Sequence, residues 1–210
     1  MPWDCTYEEI LNMPDDKNPV VAPPLRLYDC SLVTDGAAAL VLTKTEKAKE
    51  LTDEVVEISA LAHVTDYLSI VDGKRSNSEF VAGKKAIQQA FDQADIELED
   101  LDFAEVHDCF TIAELLSYEA LGLAEDGKGA EVLDDGTVEL GGKLPINVSG
   151  GLKAKGHPVG TTGASMAVLA TRQLLGNAIG NQVEGAKTGL TFNIGGSSAS
   201  NYALVYKRVK

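Results

Sequence analysis

The chain opens without a regular hydrophobic period. Prolines at positions 2, 14, 19, 23 and 24 remove backbone donors and restrict their neighbours. Residues 1–28 are therefore expected to be loop or extended, with Trp3 and Tyr7 as anchors. After the turn signal Asp35-Gly36, the apolar run Ala37 to Leu42 reads as a buried strand. Thr45 to Leu51 reads as a short polar helix, and Val55 to Ala62 as a second strand with Val56, Ile58 and Ala60 on one face. Residues 63–78 show no period and read as an active-site loop or a surface excursion. From Glu79 to Ala94 the residues Phe80, Ile87, Ala90, Phe91 and Ala94 recur at helical spacing, which predicts a helix with that stripe buried.

The second half continues the alternation. Phe103 to Val106 is a short strand that delivers His107-Asp108-Cys109-Phe110 at its C-terminal end. Thr111 reads as the cap of a helix from Ile112 to Leu121, with Glu114 completing a capping box and Gly122 just past the end. Residues 124–143 are glycine-rich and acidic and read as loop. Pro145 to Val148 is a strand, Ser149 to Gly163 a long glycine loop, and a helix follows to Leu175. Thr188 to Ile194 and Tyr202 to Tyr206 are the last strands, close enough to pair antiparallel. Strands alternating with helices predict one mixed α/β sheet with helices on its faces. Between Thr161 and Leu175 the only charged residue is Arg172. A helix that apolar is expected to lie between two layers, the second supplied by something else.

Composition narrows the function classes. The length of 210 residues suits one α/β domain with a sizeable core, and 44% hydrophobic with 24% charged residues is an ordinary globular balance. With 18 basic and 32 acidic residues the net charge is −14, which argues against nucleic acid, whose phosphates need a basic face. The charge is uneven: residues 1–139 hold 10 bases and 31 acids, whereas residues 140–210 hold 8 bases and only Glu184. The acids read as a solvated face, or else the basic third meets an anionic ligand. No stretch approaches the roughly 18 apolar residues of a membrane span. The start MPWDCTYEEI lacks the basic and apolar regions of a secretory signal, and Cys5, Cys30 and Cys109 form no CxxC pair, so a reduced, cytoplasmic setting is the expectation.

Four polar clusters fall where strands end, the place where open α/β sheets bind ligands. They are His107-Asp108-Cys109-Phe110, Asn147 to Gly151, Gly156-His157-Pro158 and Asn193 to Gly196. His107, Cys109 and His157 are too few and too widely spaced for an ordinary zinc site, so no metal is expected. Gly151 to Gly156 has the glycine spacing of a phosphate loop, but His157 and Pro158 stand where Lys-Ser/Thr is needed, which disfavours nucleotide hydrolysis. Together a thiol and two imidazoles suit proton transfer at neutral pH, and Asn193 with glycine-rich backbone suits an oxyanion. That equipment fits acyl transfer or carbon–carbon chemistry beside a carbonyl.

These clusters are specific enough to identify a family resemblance. Asn147 to Gly163 closely resembles the glycine-histidine-proline segment of thiolases. His107-Asp108-Cys109-Phe110 resembles the motif of the sterol-carrier-protein-type and archaeal members, where other thiolases carry Asn-Glu-Ala-Phe. Phe192 to Gly195 resembles the final motif, where other members place Cys-x-Gly, and Asp35 to Ala39 resembles the start of the C-terminal thiolase domain. The landmarks run in family order over residues 25–210. The implied fold is a thiolase C-terminal half, a mixed five-stranded sheet with helices on both faces, over residues 31–210, with 1–30 resembling the end of the thiolase loop region. The family's two stacked halves bury helices between them, which would account for the apolar helix after residue 161.

The resemblance also implies roles. His157 resembles the histidine that activates the nucleophilic cysteine, His107 the residue at the oxyanion or water-positioning site, and Cys109 the acid/base that handles the α-proton, with Asn193 completing the catalytic set. By charge, the basic third suits the phosphates of coenzyme A, with Ser149, Gly150, Lys153 and Gly195 as the expected contacts, while the resemblance places most such contacts in the other half; coenzyme A and acyl-CoA are substrates and not bound cofactors. The implied reaction is Claisen condensation and its reverse, thiolysis of a 3-ketoacyl-CoA. The acyl-accepting cysteine of a thiolase lies in an N-terminal half that nothing here matches. A partner carrying that half is therefore expected, in a homo- or hetero-oligomer, and some such proteins also associate with a small zinc-ribbon/OB-fold protein. A non-catalytic assembly subunit and a retro-aldolase acting on a CoA thioester are the alternatives.

Overall fold

A computed structural model describes residues 6–210 of the chain. Its elements in order are α1 (Tyr7–Leu11), β1 (Val20–Ala22), β2 (Leu25–Arg26), α2 (Thr45–Leu51), β3 (Val56–Thr65), α3 (Val81–Ala94), β4 (Phe103–Val106), α4 (Thr111–Leu121), α5 (Gly129–Asp134), α6 (Gly151–Lys155), α7 (Thr162–Leu174), β5 (Thr188–Gly195) and β6 (Ser200–Arg208). The central sheet has the order β3-β6-β5-β4, antiparallel except for the parallel β4–β5 pair. Helices cover both faces. Alternation sorts the strand side chains: Ala104, Val106, Phe192 and Val205 face α3 and α4, while Phe103 and Tyr206 face α7. The stripe Phe80, Ile87, Ala90, Phe91 and Ala94 is buried as its spacing requires.

The sheet has four strands and not five. The run Ala37 to Leu42 forms no strand and pairs with nothing among the described residues, and Val41 is 99% exposed. Its composition is that of a buried strand, yet among the described residues no neighbouring strand offers it hydrogen bonds. Pro145 to Val148 touches the sheet through a single bridge, Ala104 to Ile146, because Asn147 (φ 52°) turns the chain away at once.

Other boundaries also moved for physical reasons. Thr111 does not cap α4: Phe110 occupies the cap position, the Thr111 hydroxyl donates to Asp29 at 3.2 Å, and Glu114 turns to Asn147. The two loops read at 124–143 and 149–163 each contain a short helix, α5 and α6. Tyr7 is 78% exposed and anchors nothing, and Trp3 lies outside the described residues. Helix α7 is packed on the sheet by one side only, through Met166, Ala167, Ala170 and Leu174, while Val168 and Leu169 are half-buried. No helix among the described residues is long and apolar enough to cross a membrane.

Candidate active site

Three chain ends meet at one end of the sheet. β4 ends into residues 107–110, β5 ends at Asn193 to Gly195, and α6 leads through Gly156 to His157. They line a cavity of about 490 Å³ that contains His107, Cys109, His157, Asn193 and Gly195, with an apolar wall from Phe80, Ile112, Leu116 and Val159. Four residues expected to be catalytic thus stand around one space. The segment 30–36 laces the loops together. Ser31 N donates to Cys109 O at 2.8 Å, Val33 bridges to His157, and Thr161 Oγ1 donates to Gly36 O at 2.9 Å. The sequence reading gave this segment no part in the site.

The two imidazoles lie edge to face, their ring centres 4.9 Å apart. His107 is 6% exposed, and burial, helped by His157 and Lys155, pushes its pKa down to about 4. It is therefore neutral at pH 7, and its Nδ1 has no hydrogen-bond partner among the described residues. His157 is half-buried, and burial also lowers its pKa; Asp108 opposes that shift and Lys155 adds to it. The Thr162 hydroxyl donates to Pro158 O at 3.2 Å, so it accepts from His157 Nδ1 at 2.7 Å. That arrangement leaves Nε2 as the basic nitrogen of a neutral ring.

Burial pushes the Cys109 thiol up to about 11, so it is protonated at neutral pH and available as a proton donor. Asn193 Nδ2 has only the weak acceptor Met166 Sδ, at 3.1 Å, and keeps donor capacity for a stronger one. A neutral base, a thiol donor and amide donors around one partly apolar space can take a proton beside a carbonyl and hold the resulting negative charge.

The expected coenzyme A contacts are divided. Gly195 lines the cavity. Gly150 and Lys153 line a separate cleft with Asp108, Glu114 and Tyr118. Ser149 is tied inward, donating from its hydroxyl and its amide to Glu105 at 2.5 and 3.1 Å. Lys153 Nζ donates to Cys30 O at 2.5 Å and lies 5.5 Å from the centre of the Tyr28 ring. Its charge is thus partly spent within the fold.

Behind this wall is a polar layer that the sequence reading left unassigned. Asn147 Oδ1 accepts from Val106 N and its Nδ2 donates to Glu114 Oε1, both at 2.8 Å. Burial, with the like charge of Asp108, raises the Glu114 carboxyl to about 7. Burial likewise raises Glu105, against which Lys155 stands at 3.8 Å. The available signal was the odd placement of acids: Glu105 sits in an otherwise apolar strand, and Asp108 lies between two candidate catalytic residues.

Residues 63–208 match the family model for the thiolase C-terminal domain-like fold. An acetyl-CoA acetyltransferase of Methanothermobacter thermautotrophicus is 40% identical over 207 residues, covering 99% of this chain and 52% of that protein. Sterol carrier protein 2 of Oryctolagus cuniculus is 41% identical over 184 residues, 86% of this chain and 34% of that one. The chain thus spans about half the length, or less, of these curated relatives. Among solved structures, an Ltp2-ChsH2(DUF35) aldolase superposes with a TM-score of 0.81 at 23% identity over 97% of this chain and 51% of its own. The Bacillus anthracis acetyl-CoA acetyltransferase gives 0.63 at 24% identity over 86% of this chain and 38% of its own.

Proposed function

This chain belongs to the thiolase C-terminal domain-like family, and from that premise we propose that it is the acid–base and oxyanion half of a thiolase-type acyltransferase, active when a partner supplies the N-terminal half and its nucleophilic cysteine. The observation that carries the reading is the convergence of His107, Cys109, His157 and Asn193 on one cavity. A chain kept only for assembly has no chemical need to hold two neutral imidazoles edge to face beside a thiol.

In this reading His157 Nε2 takes the proton of the partner's cysteine, making the thiolate that attacks the acyl carbonyl. Cys109 exchanges the α-proton of the second acyl group. His107 and Asn193 hold the thioester oxygen as charge develops on it. The substrate is an acyl-CoA; the cleft that holds Gly150 and Lys153 is also lined by Asp108, Glu114 and Glu139, so it offers the CoA phosphates one lysine among three acids. The half-exposed outer side of α7 and the bare run 37–42 are where the partner half would rest.

The test is thiolysis by the chain together with its N-terminal-half partner, isolated as the native complex. His157→Ala should lower turnover by about 10²–10⁴-fold, the range for a lost general base, with the complex still assembled. Retained turnover would remove His157 from this role. A retro-aldolase acting on a CoA thioester is the second reading. The larger superposition on the aldolase favours it at the level of fold alone. Cleavage of a β-hydroxyacyl thioester without any added cysteine-bearing half would select it, and a zinc-ribbon/OB-fold protein would then be the partner to seek.

A further inference from the structure

We infer that Asp108, which touches no part of the cavity, is a positioning residue that holds the His157 segment and the His107–Cys109 segment in register. The inference rests on the reading of His157 as the base, and its structural part can be measured without that reading.

Asp108 is 6% exposed and sits between His107 and Cys109 in sequence, yet its side chain turns away from them. One carboxylate oxygen accepts from Leu152 N at 2.7 Å and the other from Lys153 N at 3.2 Å. These are the free first-turn donors of α6, a helix too short to hold itself together. The contact is so close that a Cβ on Gly151 would lie 2.2 Å from Asp108 Oδ2, and Gly151 also has φ +61°. Only glycine fits there, which gives the Gly150-Gly151 pair a physical reason. Four residues past Lys153 the chain reaches His157. The same carboxylate thus caps the helix that aims one imidazole and fixes the turn that carries the other.

Asp108 is suited to this work by charge as well as shape. A carboxylate accepts at both oxygens, whereas an amide in its place would offer one acceptor and turn a donor toward a backbone N–H. The charged or titratable groups around His157 are Asp108, Lys155 and His107. Asp108 is the one that favours the imidazolium, the state His157 must reach each time it takes a proton. Glu105, on β4 just before Asp108 in sequence, clasps Ser149 but accepts from neither Leu152 nor Lys153. It serves as the internal control.

The experiment is NMR on the 210-residue chain, native and Asp108→Asn, followed by kinetics of the native complex with the same substitution. The variant should lose amide-exchange protection at Leu152 and Lys153 and move the His157 titration to lower pH. In the complex, kcat should fall about 10²-fold, the scale of a small misplacement, with KM changed less than about threefold. Glu105→Gln should leave the Leu152 and Lys153 protection in place. If Asp108→Asn does not fold, the native chain still decides: the Leu152 and Lys153 amides, which have only the Asp108 carboxylate as acceptor, should be protected from exchange, and rapid exchange at both overturns the inference. Unchanged protection and an unchanged His157 titration in a folded variant overturn it as well. If the NMR coupling is present but no complex performs thiolysis, the positioning role stands and the acyltransferase reading falls. If thiolysis is present and Asp108→Asn is fully active, the reverse holds.

Discussion

The two faces of the sheet are covered unequally. On the α3 and α4 side, Phe80, Phe91, Val106, Leu190, Phe192 and Val205 belong to one continuous buried cluster that extends through Tyr118 and Leu121 to Val132. On the other side a single helix, α7, covers Phe103 and Tyr206 with Ala167, Ala170 and Leu174. Beyond it Val168 and Leu169 are half-buried, Leu61 and Tyr202 are largely exposed, and the run 37–42 lies open. One face is a finished core, and the other is a core with its second wall missing. The cavity opens at the end of the sheet where the two meet. Stability therefore comes chiefly from one side.

Removing a side chain from each face puts the contrast to its largest test. Phe192 is fully buried on the finished face, and Phe192→Ala should cost about 3–5 kcal/mol in denaturant unfolding, transfer and cavity costs combined. A cost under about 1 kcal/mol would mean the finished face is loosely packed, and the contrast would fail. Acid asks how far that dry interior reaches toward the site. His107 has a folded pKa of about 4 against 6.5 unfolded, so stability is lost as pH falls from 6.5 through 4. Glu114, raised to about 7 from 4.5, works the opposite way: stability is lost as pH rises through that range. The two offset each other in the native chain, and Glu114→Gln removes one of them. Its stability should then drop on the order of 3 kcal/mol between pH 7 and pH 4. A flat curve would place His107 in contact with water.

The smallest effect belongs to the open side. Val41→Ser should change the stability of the free chain by less than about 0.5 kcal/mol, since the side chain meets almost nothing. The same substitution should weaken capture of the N-terminal-half partner. A loss above about 1 kcal/mol in the free chain would show that residues 37–42 already pack within it.

Where local pattern and packing agreed, the sequence was legible. The stripe of α3, the strands around Phe103 and Phe192, and the left-handed glycine closing α4 follow from periodicity and turn chemistry alone. The convergence of His107, Cys109, His157 and Asn193 was also readable, because each falls at a strand or helix end. What failed depended on partners distant in sequence. Ala37 to Leu42 has the composition of a buried strand, but pairing needs a neighbour that composition cannot supply. Thr111 with Glu114 has the spacing of a capping box, but Asp29 and Asn147 compete for those side chains and win. The task of Asp108 is not legible locally, because its two amide partners are 44 and 45 residues away.

The bare ribbon at 37–42 has a consequence for the chain in isolation. An exposed, unpaired, apolar segment is one against which an identical copy can align, and proteins ordinarily shield such surfaces. Here the shield is the surplus of negative charge, concentrated in the first two-thirds of the molecule, which keeps copies apart at low ionic strength. Salt shortens the reach of that repulsion to about 8 Å at physiological strength and less above it. Light scattering of the lone chain should therefore rise with added salt, and Val41→Ser should delay the rise.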